Sequence, residues 1–362
     1  MEITFCIYKY FPYGGLQKKF IKILLECQKR GYKVRVYSMS WRGKIPKNIK
    51  LILFLIKKYS NHKKNESFYK KVTNHIKKFP TDIILGFNKM PGLDFYYVGD
   101  VCFADLQKNF FYKLTNRYKH YLKYEHAVFN IKSNTKLLVL TKIQIKKIQK
   151  YYQTQNFRFY KLLPGIEFNK NLFFKERINQ YRKNKNIVLL QIGSDFYRKG
   201  LGRTIRAIFN LPNYLKDKVK LIVIGESSSF RYKLYSFFLG LYKKIIFLNG
   251  RNNIYEFMNK AHLLIHPAYQ EAGGNVLLEA IVCALPVITT VNCGYSFYIK
   301  KAKCGIVLNL PYQQKKLNKA LIYALNNNNI LKKWSKSAFF YSKKKDFYGL
   351  TNQVVDIITN KK

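Results

Sequence analysis

Two carboxylates, Glu271 and Glu279, lie eight positions apart and enclose a pair of glycines followed by an apolar run. A helix that begins directly after Gly273 and Gly274 presents unpaired backbone N–H groups, and its dipole favours an anion at that end. Asn275 and Glu279 are four positions apart and therefore share one helix face. Because carboxylates repel phosphate oxygens, these acids are better suited to accept hydrogen bonds from hydroxyls. The pattern predicts a site for a phosphate with hydroxyl-bearing groups beside it.

Adjacent cations follow a predicted strand at Arg198 and Lys199, after the loop Gly193-Ser-Asp-Phe-Tyr197. Open α/β sheets bind ligands in the loops at the carboxyl ends of their strands. The planar guanidinium of Arg can donate two hydrogen bonds at once, and the ammonium of Lys is a compact charge. Together they can neutralise a departing diphosphate. In a chain this basic, a solvated surface pair is the alternative interpretation. Arg251 and Asn252 follow a later strand, where a ligand contact and a plain charged turn are both open.

Open α/β sheets must position these residues, and the chain contains two series of strands and helices. The first series is predicted to contain strands at 3–8, 33–39, 82–87 and 136–141. Apolar positions recur at helical spacing between Leu16 and Cys27, so strand, glycine turn, helix and strand form a βαβ unit. Gly14 and Gly15 form that turn, either as a simple tight turn or as a close backbone approach to a ligand.

The second series begins after the chain break Leu163-Pro-Gly165 and a polar, basic loop over 169–186. Its strands are predicted at 187–192, 219–225, 245–248, 262–266 and 286–291. Helical spacing returns between these strands, and the final segment, about 334–358, is predicted to be helical. The expected fold class is α/β, with one doubly wound domain over residues 1–163 and another over 164–342.

The composition is strongly basic, with 67 Lys and Arg against 18 acids and a net charge of +49. The positive electrostatic potential of such a chain attracts nucleic acid, anionic membranes and phosphorylated substrates alike. Because Lys, Asn, Ile, Tyr and Phe are all abundant together, compositional drift is one explanation and an anionic surface partner is another. A basic nucleic-acid-binding protein would explain the charge, but no helix-turn-helix, zinc spacing or RNP signature is present.

Other features bear on location and cofactors. No apolar run approaches the about 18–20 residues of a membrane-spanning helix, and the N-terminus lacks the regions of a signal peptide, so we expect a cytoplasmic protein. The six cysteines form no Cys-x-x-Cys pair, which favours buried, reduced thiols. His262 and His266 are four apart on a predicted strand, and no Asp-x-Asp is present, so we expect no metal.

The arrangement of Glu271, seven residues, Glu279 and the strand-like Pro286-Val-Ile-Thr289 resembles the donor-site signature of the family 4 retaining glycosyltransferases, which have the GT-B fold. Stretches over nearly the whole chain resemble members of that family that act on the lipopolysaccharide core. These stretches are Phe5–Gln17, Gly86–Asp94, Gly193–Gly200 and His266–Ala272. The resemblance implies two Rossmann-like domains facing across a cleft, with a C-terminal helix over about 343–362 that crosses back onto the first domain.

The resemblance also implies the reaction. It indicates transfer of glucose from UDP-glucose to an inner-core heptose of lipopolysaccharide, with retention and without a cofactor. The enzyme would bind peripherally to the cytoplasmic face of the inner membrane. A transferase of the same fold with another nucleotide sugar or glycan acceptor stays open, because the orientation of one hydroxyl separates glucose from galactose.

The same resemblance assigns roles to donor-site residues. Glu271 is expected to hold the hexose hydroxyls and Glu279 the ribose hydroxyls, while Arg198 and Lys199 neutralise the diphosphate. Asp100 completes the expected catalytic set of Glu271, Arg198 and Lys199. The expected donor site further includes loop residues from both domains: Gly14, Gly15, Arg251, Asn252, Ala272, Gly273, Gly274 and Asn275.

On the acceptor side, Asp100 and His120 are the polar candidates, with Lys89 and neighbouring bases placed against the phosphorylated core. Lys19 departs from the family pattern, in which the resembling enzyme carries an acid at this position. A transferase that binds the donor but no longer turns it over is therefore a further alternative.

Residues 107–132 interleave aromatic and basic side chains with almost no acids. A basic amphipathic helix of this kind suits a membrane interface, where Lys113, Arg117 and Lys119 would reach headgroup phosphates. The alternative is an ordinary domain helix with a buried apolar face, formed by Phe111, Leu114, Tyr118, Tyr121 and Leu122. Both interpretations can hold on opposite faces of one helix.

Overall fold

The structure is a computed structural model that describes residues 1–12, 14–106, 109–166, 186–251 and 253–360. The chain forms two compact units, a first unit of Met1–Gly165 with Gly349–Lys362 and a second unit of Ile166–Tyr348. The sequence placed the corresponding divisions after residue 163 and before residue 343. The C-terminal return to the first unit thus begins later than the sequence suggested.

The first unit is built around a parallel sheet. Its strands are Glu2–Cys6 (β1), Lys9–Tyr10 (β2), Lys33–Ser38 (β3), Ser40–Trp41 (β4), Ile49–Leu53 (β5), Ile83–Gly86 (β6), Phe95–Tyr97 (β7), Lys136–Val139 (β8) and Phe159–Lys161 (β9). Its helices before the second unit are Gly15–Lys29 (α1), Asn61–Lys78 (α2), Phe110–Leu114 (α3), Asn116–Phe129 (α4) and Lys142–Tyr152 (α5). Seven strands pair in the order β5-β3-β1-β6-β7-β8-β9, and β2 pairs separately with β4.

The second unit repeats this plan. Its strands are Ile187–Ile192 (β10), Val219–Ile224 (β11), Ile245–Leu248 (β12), Leu263–His266 (β13), Val287–Thr290 (β14) and Gly305–Leu308 (β15). Its helices are Leu201–Phe209 (α6), Asn213–Lys216 (α7), Phe230–Phe238 (α8), Ile254–Lys260 (α9), Asn275–Val282 (α10), Ser296–Ala302 (α11), Gln314–Asn326 (α12) and Asn328–Lys344 (α13). The strands form one parallel sheet in the order β12-β11-β10-β13-β14-β15. The last helix, Leu350–Thr359 (α14), belongs to the first unit.

Both sheets contain a topological switch point, where the order of strands reverses. In the first unit it lies between β1 and β6, and in the second unit it lies between β10 and β13. Loops on either side of a switch point diverge at the carboxyl edge and leave a crevice that binds ligands in open α/β sheets. The predicted α/β class with doubly wound sheets is confirmed, and its switch points mark where a site is expected.

Burial explains why these segments are strands and helices. The central strands carry near-continuous apolar runs because helices cover both faces of a parallel sheet, and Phe5, Leu189 and Leu263 are fully buried. Helix α1 turns an apolar face inward through Phe20 and Leu24, which are also fully buried. All six cysteines are free and buried, as the sequence predicted.

Two predicted helices are interrupted. The final helical segment divides into α13 and α14 around Phe347, whose carbonyl accepts a hydrogen bond from the N–H of Ile166 at 2.8 Å. Beyond the break, a Cβ atom on Gly165 would lie 2.4 Å from Cβ of Leu350, so only glycine permits this approach. The helix predicted within 107–132 begins at Phe110 and breaks at Thr115, whose side chain caps α4 by accepting from the N–H of Tyr118.

Candidate active site

Two loops meet beside the switch point of the second sheet. Residues 193–200 follow β10, residues 267–274 follow β13, and these two strands pair directly. Gly200 has a φ of +76°, and a Cβ atom there would lie 2.2 Å from the carbonyl oxygen of Pro267. Because only glycine allows this backbone conformation and this approach, Gly200 brings the cations of the first loop against the acid of the second.

Lys199 and Glu271 form a largely buried ion pair between these loops. The aliphatic part of Lys199 lies across Gly193, where a Cβ atom would be 2.8 Å from Cε of the lysine. The second oxygen of Glu271 lies 3.0 Å from Nε2 of His266, which is fully buried at the end of β13. The side chain of Gln191 donates to the carbonyl of Lys199 at 2.9 Å and fixes the lysine's backbone. A buried acid is thus held between one cation and one imidazole.

These contacts decide the protonation of the acid. Burial alone would raise the pKa of Glu271, but the charge of Lys199 and the hydrogen bond with His266 hold it well below its usual value. Burial likewise disfavours the charged imidazole, yet hydrogen bonds with Cys293 and Glu271 leave the pKa of His266 raised. Glu271 therefore stays ionised, and His266 retains its proton to a higher pH than an ordinary histidine does.

The substitution Glu271→Gln is expected to lower the pKa of His266, because it removes the carboxylate that favours the charged imidazole while the desolvation stays. In the unmodified chain, the raised pKa stabilises the fold below the unfolded histidine pKa of about 6.5, and this contribution disappears as pH rises through the folded value. Titration of the histidine ring resonances by NMR measures the pKa of His266 in the unmodified chain and in the variant. An unchanged pKa of His266 in the variant would show that Glu271 does not govern its charge.

Arg198 lies at the outer side of the same pair. Its Nε is 3.2 Å from a carboxylate oxygen of Asp195, and one terminal nitrogen donates to the carbonyl of Gln270 at 3.3 Å. The backbone carbonyl of Arg198 accepts from the N–H of Tyr269 at 2.9 Å. The arginine is partly exposed, so its guanidinium can turn from Asp195 to an arriving anion. Lys199, in contrast, is held by its pair with Glu271.

The glycine pair leads into α10 as the sequence suggested. Gly274 precedes the helix with a φ of +90°, and the first turn contains no acid. A Cβ atom on Gly274 would lie 3.6 Å from Cγ of Glu271, so the acid lies beside the helix N-terminus. The backbone of Glu271 is held on both sides, donating to Asn292 and accepting from Gly294, each at 3.1 Å. The first amides of α10 thus face the same place as Lys199 and Glu271, which suits a diphosphate.

Burial distinguishes the remaining residues of the glycine-rich stretch and of α10. Ala272 and Gly273 are buried, and the carbonyl of Gly273 accepts from the N–H of Tyr295 at 2.7 Å. Asn275 and Glu279 are both half-buried, whereas the residues between them are buried. They therefore occupy the one face of α10 that is not packed in the core, as their spacing of four predicts.

Arg203 is a candidate site residue that the sequence analysis missed. On α6, its guanidinium lies between the rings of Tyr269 and Tyr312, 3.5 and 3.6 Å from their centroids. It also donates to the carbonyl of Pro267 at 3.0 Å. The ring of Tyr197 stacks on Tyr269 at 5.1 Å, with 11° between the planes. This stack joins both active-site loops to α6, but its members are far apart in sequence and no local spacing pattern identifies them.

We expect Arg203→Lys to reduce kcat/KM for the donor by about tenfold, because lysine lacks the planar group that fits between two rings. Steady-state kinetics and the thermal unfolding midpoint should be measured together. Arg206→Lys on the same helix is the matched control, since Arg206 is exposed and lies outside the stack. A large loss of stability with unchanged kinetics would show that Arg203 supports the fold without positioning the site.

The other predicted donor residues have different positions. Arg251 follows β12, with Nε 3.4 Å from the carbonyl of Asn249 and its guanidinium over the ring of Phe257 at 5.2 Å. Asn252 lies outside the described residues. Gly14 and Gly15 belong to the first unit, where α1 begins at Gly15 without a side-chain cap or a first-turn acid. The role of each in donor binding stays a prediction.

In the first unit, Lys89, which the sequence analysis placed on the acceptor side, is largely buried and paired within the protein. Its ammonium forms an ion pair with the fully buried Glu125 and donates to the carbonyl of Val101 at 3.1 Å. Glu125 also accepts from the N–H groups of Phe103 and Ala104 at 2.7 and 3.0 Å. Because this charge is already neutralised, we assign Lys89 to holding the loop that follows β7.

That loop carries the predicted catalytic Asp100, which is exposed at the carboxyl end of the first sheet. Lys19 is buried on α1. His120 lies between α2 and α4, with ring centroids 4.1 Å from Tyr124 and 5.9 Å from His62. Burial, followed by the neighbouring His62, lowers the pKa of His120, so it is a packed and mainly neutral imidazole.

The apolar face proposed for residues 107–132 was wrong in its first half. Phe111 and Leu114 are 80% and 56% exposed, and α3 contributes no buried residue. The inward face of α4 lies further along, at Tyr124, Glu125, Val128 and Phe129. The break at Thr115 turns α3 away from the core, so its aromatic side chains face solvent beside exposed bases.

One described cluster has the donor atoms of a metal site. Ligand atoms of His266, Glu271 and Cys293 lie within 4.8 Å of one another. However, Lys199 already places a cation against Glu271, so we assign that carboxylate to an ion pair. His262 lies at the other end of β13, where its Nδ1 accepts from the N–H of Val188 at 3.0 Å, and does not join the cluster.

Comparisons with known proteins identify the family and the fold of the chain. Residues 173–339 match the family described as glycosyl transferases group 1. The lipopolysaccharide glucosyltransferase WaaG of Escherichia coli K12 is 44% identical, with 99% of both chains covered. A crystal structure of WaaG superposes with a TM-score of 0.93 at 43% identity, covering 99% of this chain and 100% of that chain. The structure of Anabaena HepE with UDP and glucose shares the fold, with a TM-score of 0.73, 16% identity and 99% coverage of both chains.

These findings confirm the predicted resemblance, the GT-B fold and glycosyltransferase activity as the class of reaction. Across the described residues, no helix combines the length and apolar character needed to cross a bilayer. The chain therefore belongs to the glycosyl transferases of group 1 and, within them, to the family of the lipopolysaccharide glucosyltransferase WaaG.

Proposed function

We propose that this protein transfers glucose from UDP-glucose to an inner-core heptose of lipopolysaccharide, with retention at the anomeric carbon. One observation carries the proposal. The buried Lys199–Glu271 pair lies beside the N-terminus of α10, at the switch point of the second sheet. This arrangement occurs in a chain that is 44% identical, over 99% of its length, to a lipopolysaccharide glucosyltransferase.

The donor would occupy the loops after β10 and β13. The first amides of α10 and the cations Arg198 and Lys199 surround a diphosphate, while Glu271 accepts hydrogen bonds from hexose hydroxyls. Glu279, on the half-buried face of α10, takes the ribose hydroxyls, and Arg251 lies near the base. Lys199 then exchanges part of its contact with Glu271 for the phosphate, and the freed carboxylate oxygen turns to the sugar.

The reaction we propose is a front-face substitution. The bond between the anomeric carbon and the β-phosphate oxygen breaks, and its electron pair remains on the diphosphate. The acceptor hydroxyl oxygen bonds to the same face of that carbon, and its proton passes to the departing phosphate. Arg198, Lys199 and the helix dipole stabilise the negative charge that develops on the leaving group. The step needs neither a covalent enzyme intermediate nor a metal.

We assign acceptor binding to the first unit. Its switch point lies between β1 and β6, and the loops that follow these strands are joined by a hydrogen bond from the N–H of Tyr8 to Asn88 at 2.8 Å. Asp100 is exposed on the neighbouring loop, which Glu125 holds in place. Asn88 and Asp100 are therefore the polar groups that we propose contact the acceptor saccharide.

We further propose that the enzyme docks peripherally on the anionic cytoplasmic face of the inner membrane. The docking surface consists of exposed aromatic, apolar and basic side chains at α3 and the beginning of α4, namely Phe110, Phe111, Leu114, Lys113, Arg117 and Lys119. Exposed aromatic rings beside cations fit an interface where rings enter the headgroup region and cations reach phosphates.

Charge reversal at Lys113, Arg117 and Lys119 is expected to abolish most binding to vesicles that contain phosphatidylglycerol. Each basic residue near an anionic surface contributes about 1 kcal/mol, so three reversals weaken binding by at least a hundredfold. Co-sedimentation with anionic and neutral vesicles measures this effect. Reversal of three exposed lysines on the second unit, Lys315, Lys316 and Lys319, is the matched control. Equal losses in both triple variants would contradict a specific docking surface.

The donor and the acceptor are tested by measuring UDP release from a panel of UDP-sugars, with and without a truncated lipopolysaccharide core. The proposal predicts acceptor-dependent UDP release with UDP-glucose as the preferred donor. Preference for another UDP-sugar, or for another glycan acceptor, would replace the proposed substrates while leaving the enzyme class intact. Tight donor binding without turnover would identify a degenerate transferase.

A further inference from the structure

A cavity of about 600 Å³ lies in the first unit, outside the set of residues assigned to the donor. It forms where the segment before α2 meets the beginning of α4. Four of its lining residues are cations, namely Lys57, Lys58, Lys63 and Arg117, and none of the described residues that line it is acidic. All four are exposed, and together they give the cavity a positive potential that attracts an anion.

Two helices begin at this cavity. Ser60 immediately precedes α2 and Thr115 immediately precedes α4, and both residues line the cavity. The helices are 18 and 14 residues long, and neither has an acid in its first turn. Thr115 caps its helix, but Ser60 makes no side-chain cap, which leaves the first amides of α2 without that partner. Both dipoles therefore add positive potential to that of the four cations.

The nearest acid on α2 does not neutralise the cavity. Glu66 lies in the next turn of the helix and pairs with Lys70 at 3.3 Å, on the side that continues along α2. Its pKa is lowered first by that hydrogen bond, with smaller effects from His120 and Lys123. No acidic residue among the described lining residues therefore offsets the positive charge of the cavity.

We propose that this cavity binds a phosphate group, as a monoester or diester carried on a saccharide or a lipid headgroup. The geometry favours phosphate because it offers several acceptor oxygens to several separate donors, and Arg117 can contact two of them at once. Ser60 and Asn116 add neutral hydrogen-bonding groups to the lining. The proposal goes beyond glycosyl transfer and does not depend on the donor site, so each can fail without the other.

The test uses the full chain at constant ionic strength and two kinds of probe. Inorganic phosphate and glycerol 3-phosphate are titrated by calorimetry, and vesicles with and without phosphatidic acid are tested by co-sedimentation. The cavity variant is Lys58→Gln with Lys63→Gln. The control is Lys77→Gln with Lys78→Gln, which removes the same charge from exposed positions at the opposite end of α2. Lys57→Gln with Lys58→Gln, outside the helix, provides a second cavity variant if the first does not fold.

We expect the cavity variants to bind phosphate about tenfold more weakly than the control, given the usual strength of exposed charge pairs. Loss with the soluble esters identifies a general phosphate site, and loss confined to vesicles identifies a lipid headgroup as the source. Equal behaviour of cavity and control variants would mean that the overall positive field binds phosphate, and this result overturns the proposal. Absence of binding to both kinds of probe overturns it as well.

Discussion

Replacing Lys199 with alanine is expected to raise the transition-state free energy of glucosyl transfer by about 2–4 kcal/mol, which lowers kcat/KM by about 30- to 1,000-fold. Lys199 is the fixed cation at the proposed leaving group, since its stem crosses Gly193 and its ammonium pairs with Glu271. The loss should appear mainly in kcat, because the charge on the diphosphate grows as the bond breaks. Acceptor-dependent UDP release from UDP-glucose measures it.

Two companion variants separate charge from packing. Lys199→Met keeps an unbranched apolar stem across Gly193 but removes the ammonium, so it should be nearly as inactive as the alanine variant. Lys319→Ala removes an exposed lysine from α12 and should leave the rate unchanged. A Lys199→Met enzyme that retains full turnover would remove Lys199 from the mechanism and leave it only a packing role.

Replacing Glu125 with alanine is expected to lower the free energy of unfolding of the first unit by about 3–5 kcal/mol, the usual cost of breaking a buried ion pair. Glu125 is fully buried and accepts from Lys89, Phe103, Ala104 and the hydroxyl of Tyr152, the last at 2.9 Å. Its removal leaves these donors unpaired inside the protein. Urea denaturation followed by intrinsic fluorescence measures the loss.

A double variant of the same network should be more stable than the Glu125→Ala variant. Lys89→Met with Glu125→Leu removes both charges together, so no ion remains buried without its partner. Glu66→Ala serves as the surface control, since Glu66 and Lys70 are about half exposed or more and their pair should contribute less than about 1 kcal/mol. If Glu125→Ala is no more destabilised than Glu66→Ala, the buried network does not hold the loop that carries Asp100.

The pH dependence of this network follows from its contacts. Burial would raise the pKa of Glu125, but the charge of Lys89 and the backbone hydrogen bonds outweigh burial and leave the pKa lowered. A lowered pKa stabilises the fold above the unfolded carboxyl value, and that stabilisation is lost as pH falls through the folded value. The network therefore contributes to the stability of the fold at neutral pH.

The local structure around α10 could be predicted because its signals are local. The glycine pair before an apolar helix places Glu271, Gly274 and α10 together, and spacing alone puts Asn275 and Glu279 on one face. The strands Ile187–Ile192 and Ile245–Leu248 have the bounds expected from their apolar runs. Such runs are visible in sequence because strands of a parallel sheet are buried on both faces.

Contacts between distant residues could not be predicted. The partner of Lys89 is Glu125, 36 positions later, and the rings around Arg203 come from residues 66 and 109 positions away. The short strands β7 and β9 contain three residues each, too few for a periodic pattern. The break at Thr115 was missed because aromatic and basic residues continue across it, although threonine is a strong N-cap residue.

The high positive charge has a partial structural explanation. Of 67 basic residues, a few are used inside the fold, as in the pairs of Lys89 and Lys199 and the stack around Arg203. Others converge at the cavity beside α2 and on the docking surface of α3 and α4. Under the two proposals, an anionic partner accounts for these clusters, and compositional drift accounts for the lysines scattered over the other helices.

The central claim is that the second unit holds the sugar nucleotide between the cations of one loop and the acid of the next. A crystal structure of the protein with UDP-glucose tests it most directly. We expect the diphosphate within hydrogen-bonding distance of Lys199 and of the amides at the start of α10, with hexose hydroxyls on Glu271. Density for UDP-glucose elsewhere, with the Lys199–Glu271 pair unchanged and remote from it, would contradict the assignment.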